Sequence, residues 1–363
     1  MNVAFDESGN TGQNLLDVDS RVFALASCSF TAGQIAGAAD IFAQVKAGEL
    51  KFSKMIGRPR YEGLVLKFLG SPYVSADTVK LSVVHKRFMV ITKYVDLILE
   101  PAARRVGVDF YRDGRQIATA NLLNIVAATF LNPPIWDNFL ASFVQMVWKR
   151  DIGSWTRFIS AGESIHNSLQ FKNPQFGEFF YPVLQLKGRY KNLVKECFSG
   201  NELDPIPPSY AQLSDAWGKQ LGQPFEIIAD ESKVLTSYIP VLLKLSDPSL
   251  RRTNAGYGRR TMEFPLRVTA IRPLSSIASK EIQFADLLAG SVRHCLQSQN
   301  RANPETFEGR IATLIDSKKL VSDSLWPNDK VTPSELDTKA DSGAASLVDY
   351  TSRILRNDPS VKG

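Results

Sequence analysis

The fold is decided by a short apolar run that ends in acids, V-A-F-D-E-S at Val3–Ser8. A similar motif, I-I-A-D-E-S, occurs late in the chain at Ile227–Ser232. Each copy predicts a buried strand followed at once by an aspartate, Asp6 or Asp230. Aspartate has a low strand propensity and is costly to bury alone. If the two strands are central and adjacent, their carboxylates meet at one sheet edge and repel unless a cation lies between them. The pattern therefore predicts a divalent metal site; alternatively, each aspartate only starts a turn or caps the next segment.

The segments around these strands predict an α/β fold with a mixed sheet. A turn-rich stretch after Ser8 leads to an apolar run at Val22–Phe30, so the first strands are expected to be antiparallel, and a third strand is predicted at Lys80–Ile91. Later segments alternate strand, helix, strand, helix, which implies parallel pairing with right-handed crossovers. These segments are Phe225–Ala229, Val234–Leu245, Glu263–Ile271 and Glu281–Leu296.

The pattern of apolar residues divides the chain into three regions. Residues 1–93 and 223–300 are predicted to form the α/β core, and residues 94–222 follow helical periods typical of a large helical insertion. Residues 301–363 are rich in polar residues and proline, so we expect one helix and a loosely packed tail.

The composition of the chain bears on its partners and its cellular location. The 363 residues carry a net charge of +6, which is compatible with a nucleic-acid partner but does not require one. The three cysteines show no C-x-x-C spacing, so the sequence favours a reducing, cytoplasmic location without a zinc ribbon. No apolar stretch approaches the roughly 20 residues that cross a bilayer, and the N-terminus lacks the pattern of a signal peptide.

A third acid, Asp286, lies in the apolar helix predicted at Glu281–Leu296. Gln283 and Asp286 are three residues apart and share one face of that helix. A salt bridge to Arg293 is one ordinary explanation for a carboxylate on a largely buried helix. Small residues on either side of Asp286 would instead let the helix approach the sheet and bring this acid toward the strand ends.

Two further acids are candidates. Glu49, in G-E-L-K-F-S after an alanine-rich segment, is either a further ligand or an exposed glutamate at a helix end. Glu7 ranks behind Asp6, because alternation along a strand sends neighbouring side chains to opposite faces.

At these motifs the sequence resembles a widespread bacterial family of uncharacterised proteins, which carries D-E-S-G near the N-terminus and Q-x-A-D near the C-terminus. The matching residues are Asp6–Gly9, Glu49–Lys51, the strand that ends in Asp230, and Gln283–Asp286. The family is grouped with the ribonuclease H-like fold. The resemblance therefore implies a ribonuclease H-like mixed sheet with a large helical insertion, in agreement with the predicted order of elements.

The resemblance also implies a chemistry. In that superfamily, acids from the first strand, a later parallel strand and a C-terminal helix hold two Mg²⁺ or Mn²⁺ ions, and the corresponding residues here are Asp6, Asp230 and Asp286, with Glu49 as the intervening acid. The implied reaction is hydrolysis of phosphodiester bonds in nucleic acid. One ion makes hydroxide from water, and the other stabilises the leaving oxygen.

The remaining polar residues of the motifs are expected to support this site. Lys51 and Lys233 would neutralise phosphate charge or orient the acids. Basic clusters could grip the nucleic-acid backbone away from the reacting bond, although each cluster alone could be a solvated loop. The supporting residues are Glu7, Ser8, Lys51, Lys233, Gln283, Arg251, Arg252, Arg259 and Arg260.

Two other functions are compatible with the sequence. One is a non-catalytic module that binds nucleic acid or protein, with the helical insertion as the surface for a protein partner or a second copy of the chain. The other is a metal-dependent phosphoesterase or transferase that acts on a small phosphorylated substrate. The retained acids favour the nuclease and the phosphoesterase over the non-catalytic module.

Overall fold

The structure is a computed structural model that describes residues 1–10, 12–46, 48–170, 172–189, 201–258, 260–340 and 345–362. Its strands are β1 Asn2–Ser8, β2 Val22–Cys28, β3 Val79–His85, β4 Phe225–Asp230, β5 Thr253–Tyr257, β6 Arg260–Phe264, β7 Val268–Leu274 and β8 Val321–Leu325. Its helices are α1 Ala32–Ile41, α2 Phe52–Met55, α3 Pro59–Gly70, α4 Lys86–Tyr94, α5 Glu100–Arg105, α6 Arg115–Phe130, α7 Pro133–Lys149, α8 Ile152–Gln170, α9 Pro174–Gly177, α10 Tyr181–Gln185, α11 Ile206–Leu221, α12 Lys233–Lys244, α13 Lys280–Gln297, α14 Phe307–Ser317, α15 Pro333–Leu336 and α16 Leu347–Leu355.

A six-stranded mixed sheet organises the molecule. Its strand order is β7-β4-β1-β2-β3-β8. β2 is antiparallel to both β1 and β3, whereas β4 is parallel to β1, β7 to β4 and β8 to β3. The α/β class and the change from antiparallel early strands to parallel later strands are therefore confirmed.

Helices cover both faces of this sheet, which explains why β2 is buried along its whole length. On one face, Val3 and Phe5 of β1 belong to a core shared with α4, α7, α8 and α11. On the other face, Ala4 belongs to a core shared with α1, α3, α13 and α14. The alternation of β1 thus assigns each of its residues to one of two separate cores.

The described residues between β3 and β4 form helices, from α4 to α11, and no strand. Aromatic rings fill the interior of this part, where Tyr94 packs edge-on against Phe139 with ring centroids 5.1 Å apart. In the described part of the chain, no helix is both long and apolar enough to cross a membrane.

Two predicted strands have different bounds in the structure. The strand predicted at Lys80–Ile91 ends at His85, because its Nδ1 accepts the Phe88 N–H and starts α4. The strand predicted at Glu263–Ile271 is interrupted at Pro265, which has no N–H to donate to a ladder. β6 therefore ends before this proline and pairs with β5 in a separate hairpin.

The expectation of a loosely packed tail after residue 300 is wrong for the described residues. α14 buries Ile311 against the α13 side of the sheet, and β8 extends the sheet beside β3. α16 packs on the β5–β6 hairpin through Tyr350, whose ring lies 5.2 Å from that of Phe264. Polar composition misled the prediction because an edge strand and amphipathic helices bury only one side.

Candidate functional site

Asp6 and Asp230 lie at the carboxyl ends of adjacent strands. The parallel pairing of β1 with β4 places Ala4 opposite Ile228, and both side chains belong to the core on the α13 side. Asp6 and Asp230 come two residues later in their strands, so their side chains point to that same face. The two similar sequence motifs thus place the carboxylates of Asp6 and Asp230 on neighbouring strands.

Helix α13 brings the third aspartate to the same place. It packs across β1 and β2, and Asp286 accepts the Phe52 N–H on Oδ2 at 2.6 Å. Gly290, one turn further on, lies against the same phenylalanine. A Cβ at Gly290 would stand only 2.5 Å from Cβ of Phe52, so the absence of a side chain permits this approach.

Glu49 joins the acids through Ser276, a residue that the sequence analysis missed. The Ser276 hydroxyl donates to Glu49 Oε1 at 2.5 Å, and the Ser276 N–H donates to Asp230 Oδ1 at 3.0 Å. Glu49 also pairs with Lys51 at 3.1 Å and Lys54 at 3.6 Å, and its side chain is only 12% exposed. The available signal was the pair of serines, Ser275 and Ser276, that follows β7.

Gln283 holds together the two segments that carry these contacts. Its side chain is fully buried. Its Oε1 accepts the Leu50 N–H at 3.0 Å, while its Nε2 donates to the Ser276 carbonyl at 2.7 Å. Gln283 therefore fixes the backbone on both sides of the carboxylates without contacting them.

Burial and mutual repulsion dominate the electrostatics of the aspartates. Burial, followed by the charges of Asp286, Glu7 and Asp230, raises the pKa of Asp6 from 3.8 to about 9, although the Glu7 N–H opposes the shift. Burial also raises the pKa of Asp286, with Phe52 N–H and Lys51 opposing it. These carboxylates are held together against their own repulsion, as in sites that bind cations.

Glu49 behaves differently. Burial disfavours its charged form, but the Ser276 hydroxyl and the ammonium groups of Lys51 and Lys54 more than offset this and lower its pKa. Burial in turn disfavours the Lys51 ammonium, yet Glu49, Asp230 and Asp286 raise the pKa of Lys51. Lys51 therefore remains cationic at the border of the acidic cluster, with a side chain that is 35% exposed.

Glu7 and Ser8 complete the N-terminal motif. Glu7 lies on the other face of the sheet, close to Asp204 and Tyr210, and burial raises its pKa. This agrees with the alternation that ranked it behind Asp6. Ser8 ends β1, and its hydroxyl makes no hydrogen bond among the described residues.

The other predicted basic residues do not line the acidic cluster. Lys233 is exposed in the first turn of α12 and makes no ion pair in the described part of the chain. Arg251 and Arg252 are exposed before β5, Arg260 begins β6, and Arg259 lies outside the described residues. The charges that act on Arg260 are those of Asp323 and Asp96, not those of the acidic cluster.

The ordinary explanations for the aspartates do not hold in the structure. The salt bridge from Asp286 to Arg293 is absent, and Arg293 instead donates to Ser20 Oγ at 3.4 Å. Ser232, not Asp230, caps helix α12. Among the described residues none of the three aspartates forms an ion pair, although the charge of Lys51 acts on Asp230 and Asp286 from the border of the cluster.

A cavity of about 1190 Å³ lies away from the acids. Its lining includes Lys244, Arg252, Phe264 and Arg267, at the amino end of β7. The acidic cluster is thus a separate feature at the opposite end of the sheet.

The donor set fits a hard divalent cation in its chemistry. Asp6, Asp230 and Asp286 each have one carboxylate oxygen bound to a backbone N–H, and the second oxygen accepts no hydrogen bond from the described residues. Oxygen-only ligands are those that Mg²⁺ and Mn²⁺ prefer. As the side chains stand, however, no three His, Cys, Asp or Glu residues of the described chain are arranged to hold an ion. Binding therefore requires the unbonded oxygens to turn toward a common point.

No family profile, no curated protein and no solved structure matches this chain. Function is therefore inferred from the geometry of the site.

Proposed function

We propose that the protein is a nuclease that hydrolyses phosphodiester bonds of nucleic acid with Mg²⁺ or Mn²⁺, in a two-metal mechanism on a ribonuclease H-like fold. The observation that carries the proposal is the convergence of Asp6, Asp230 and Asp286 at one end of the sheet. These residues come from β1, β4 and α13, which are distant in the sequence. The antiparallel start of the sheet followed by parallel strands supports the assignment of the fold.

The residues of the site would have different roles in the reaction. Asp6, Asp230, Asp286 and Glu49 would hold the ions, which when bound supply an activated water and stabilise charge on the leaving oxygen. Backbone N–H groups keep one oxygen of each aspartate fixed, which limits the reorganisation needed at the moment of reaction. Lys51 presents a positive charge to the phosphate from the border of the cluster.

The test is a panel of labelled RNA and DNA, single- and double-stranded, incubated with Mn²⁺, with Mg²⁺ or with EDTA. We expect metal-dependent cleavage of at least one substrate by the wild type, and none by Asp6→Asn or Asp230→Asn. Asp323→Asn is the matched control, because Asp323 is a half-buried aspartate with a raised pKa that accepts a hydrogen bond from Ser82 in β3. Unchanged cleavage by either site variant would eliminate the assignment.

One observation favours a second candidate, the non-catalytic binding module. At the turn between α7 and α8, Trp148 is 58% exposed and Ile152 is 60% exposed. Large exposed apolar side chains are typical of surfaces that bind a protein partner or a second copy of the chain. This function predicts nucleic-acid or protein binding with no cleavage in any arm of the panel.

A further inference from the structure

Basic side chains from separate segments of the chain meet on the surface formed by the end of α12, the loop before β5 and the end of α16. Leu250 pairs with Lys362 in an isolated antiparallel bridge, and the Arg251 N–H donates to the Val361 carbonyl at 2.9 Å. The fold thus joins two segments that are far apart in the sequence. The cations of this group, which we name the C-terminal basic surface, are Lys244, Arg251, Arg252, Arg353, Arg356 and Lys362.

Tyr350 of α16 holds the segments of this surface together. Its hydroxyl donates to the Arg251 carbonyl at 3.3 Å, and the Arg353 guanidinium lies over its ring, 5.7 Å from the centroid. Lys244 Nζ donates to the Leu355 carbonyl at 3.4 Å, which ties α12 to the end of α16. Buried apolar residues of α16 and the hairpin form a core of their own beneath these contacts. The cations are therefore presented by packed elements.

These cations have no partners of opposite charge in direct contact. None of the six forms an ion pair with another described residue, and all except the half-buried Arg353 are exposed. Two neighbouring acids are engaged elsewhere, because Asp349 of α16 pairs with Arg104 at 3.3 Å and Glu263 of β6 pairs with Arg267 at 3.2 Å.

Two acids offset the charge of the surface in part. Asp247 feels the charge of Lys362, and Asp358 feels that of Arg353. Each of these aspartates also accepts a backbone N–H at 2.9 Å within its own turn. Six cations and two acids leave an excess of four positive charges, most of the net +6 of the whole chain.

The C-terminal basic surface borders the cavity of about 1190 Å³, whose lining includes Lys244 and Arg252. The surface is therefore concave between α12 and β5. Clefts lined by one sign of charge focus the electric field and attract ligands of the opposite sign. Val268 lines the same cavity at the start of β7, whereas Asp230 pairs with Leu274 at the end of that strand. The basic surface is thus distinct from the acidic cluster.

We propose that the C-terminal basic surface binds the sugar–phosphate backbone of nucleic acid away from the bond that is cut. Four of its six cations are arginines, whose planar donors match two phosphate oxygens. Backbone contacts position a strand without reading its sequence, and their strength falls steeply with salt. The identity of the ligand rests on the proposed function, whereas the excess of positive charge rests on the contacts described above.

The test measures binding without cleavage. Fluorescein-labelled 20-mers of single-stranded RNA, single-stranded DNA and duplex DNA are titrated with the full chain in EDTA at several salt concentrations. We expect Arg251→Gln/Arg252→Gln and Arg353→Gln/Arg356→Gln each to weaken binding about tenfold. Each should also lower the slope of log affinity against log salt by about 1–2, because each removes two phosphate contacts.

Two controls separate charge from structure. Arg251→Lys/Arg252→Lys keeps the charge and should recover most of the loss. Arg301→Gln/Arg310→Gln removes two exposed arginines beside α13 and α14 that form no ion pair among the described residues, and it should bind as the wild type does.

Four results would overturn the inference: a wild type that binds no oligonucleotide, wild-type binding by either glutamine variant of the basic surface, an equal loss in the Arg301 and Arg310 control, or poly-glutamate competing as well as the oligonucleotide at equal charge. If the wild type cuts nucleic acid with Mn²⁺ but the glutamine variants bind normally, only the basic surface fails. If no substrate is cut but these variants bind weakly, the basic surface is supported and only the nuclease assignment fails.

Discussion

Asp6→Asn should make the metal-free protein more stable while abolishing its response to metal. The substitution keeps the shape of the side chain and removes its charge. Asp6 is 8% exposed and its pKa is raised from 3.8 to about 9 by burial and neighbouring acids. At neutral pH the folded protein must therefore take up a proton that the unfolded chain has lost.

The size of the effect follows from this linkage. An acid with a raised pKa favours the folded state fully below about pH 4, and this advantage is lost as pH rises toward 9. Between pH 4 and pH 7 the loss approaches about 4 kcal/mol at 1.36 kcal/mol per pH unit. Water entry and relaxation reduce it, so we expect Asp6→Asn to gain about 2–3 kcal/mol at pH 7. For 363 residues this raises the melting temperature by about 3–4 °C.

Differential scanning calorimetry at pH 7, in EDTA and in excess Mn²⁺, measures both parts. The wild type should gain about 2–3 kcal/mol from Mn²⁺ at 100 times the dissociation constant, and Asp6→Asn should gain almost nothing. Asp323→Asn should respond to Mn²⁺ as the wild type does. A lower melting temperature for Asp6→Asn in EDTA, or an undiminished Mn²⁺ response, would refute the reasoning.

Three further outcomes are expected. Gln283→Leu should lower the free energy of unfolding in urea by about 2–4 kcal/mol, because it strands two buried backbone groups, and a change below about 0.5 kcal/mol would contradict its positioning role. Gly290→Ala should cost about 1–3 kcal/mol by pressing on Phe52, whereas Gly63→Ala, which meets nothing within 4 Å in α3, should be neutral or stabilising; equal effects would contradict the close approach. Calorimetric Mn²⁺ affinity should rise as pH rises toward 9, by at most about tenfold per unit, because binding displaces the Asp6 proton, and a flat profile would contradict the raised pKa.

Local sequence patterns were sufficient to predict that the three aspartates lie at one end of the sheet. The apolar runs before Asp6 and Asp230 predict strands. The alternation of side chains along β1 then puts Asp6, rather than Glu7, on the side of the sheet that α13 covers. The small residues of α13 predict a close approach to the sheet, and Gly290 shows how this is achieved. Each of these inferences depends on residues within one element.

Tertiary contacts account for what the sequence did not reveal. Ser276 bonds to both Glu49 and Asp230, which lie 227 and 46 residues away from it in the sequence, and no periodicity carries that information. The polar segment of β8 becomes an edge strand only because β3 is there to pair with it. The hydrogen bonds from Lys86 and Arg293 to the Ser20 hydroxyl likewise depend on a loop and helices that meet only in the fold.

The most direct test of the proposed metal site is anomalous diffraction from crystals grown in Mn²⁺. The account predicts Mn²⁺ peaks within about 2.5 Å of carboxylate oxygens of Asp6, Asp230 and Asp286, with Ser276 still bonded to Asp230. Saturating Mn²⁺ with no peak among these residues, or with its strongest peak elsewhere on the chain, would contradict the central claim.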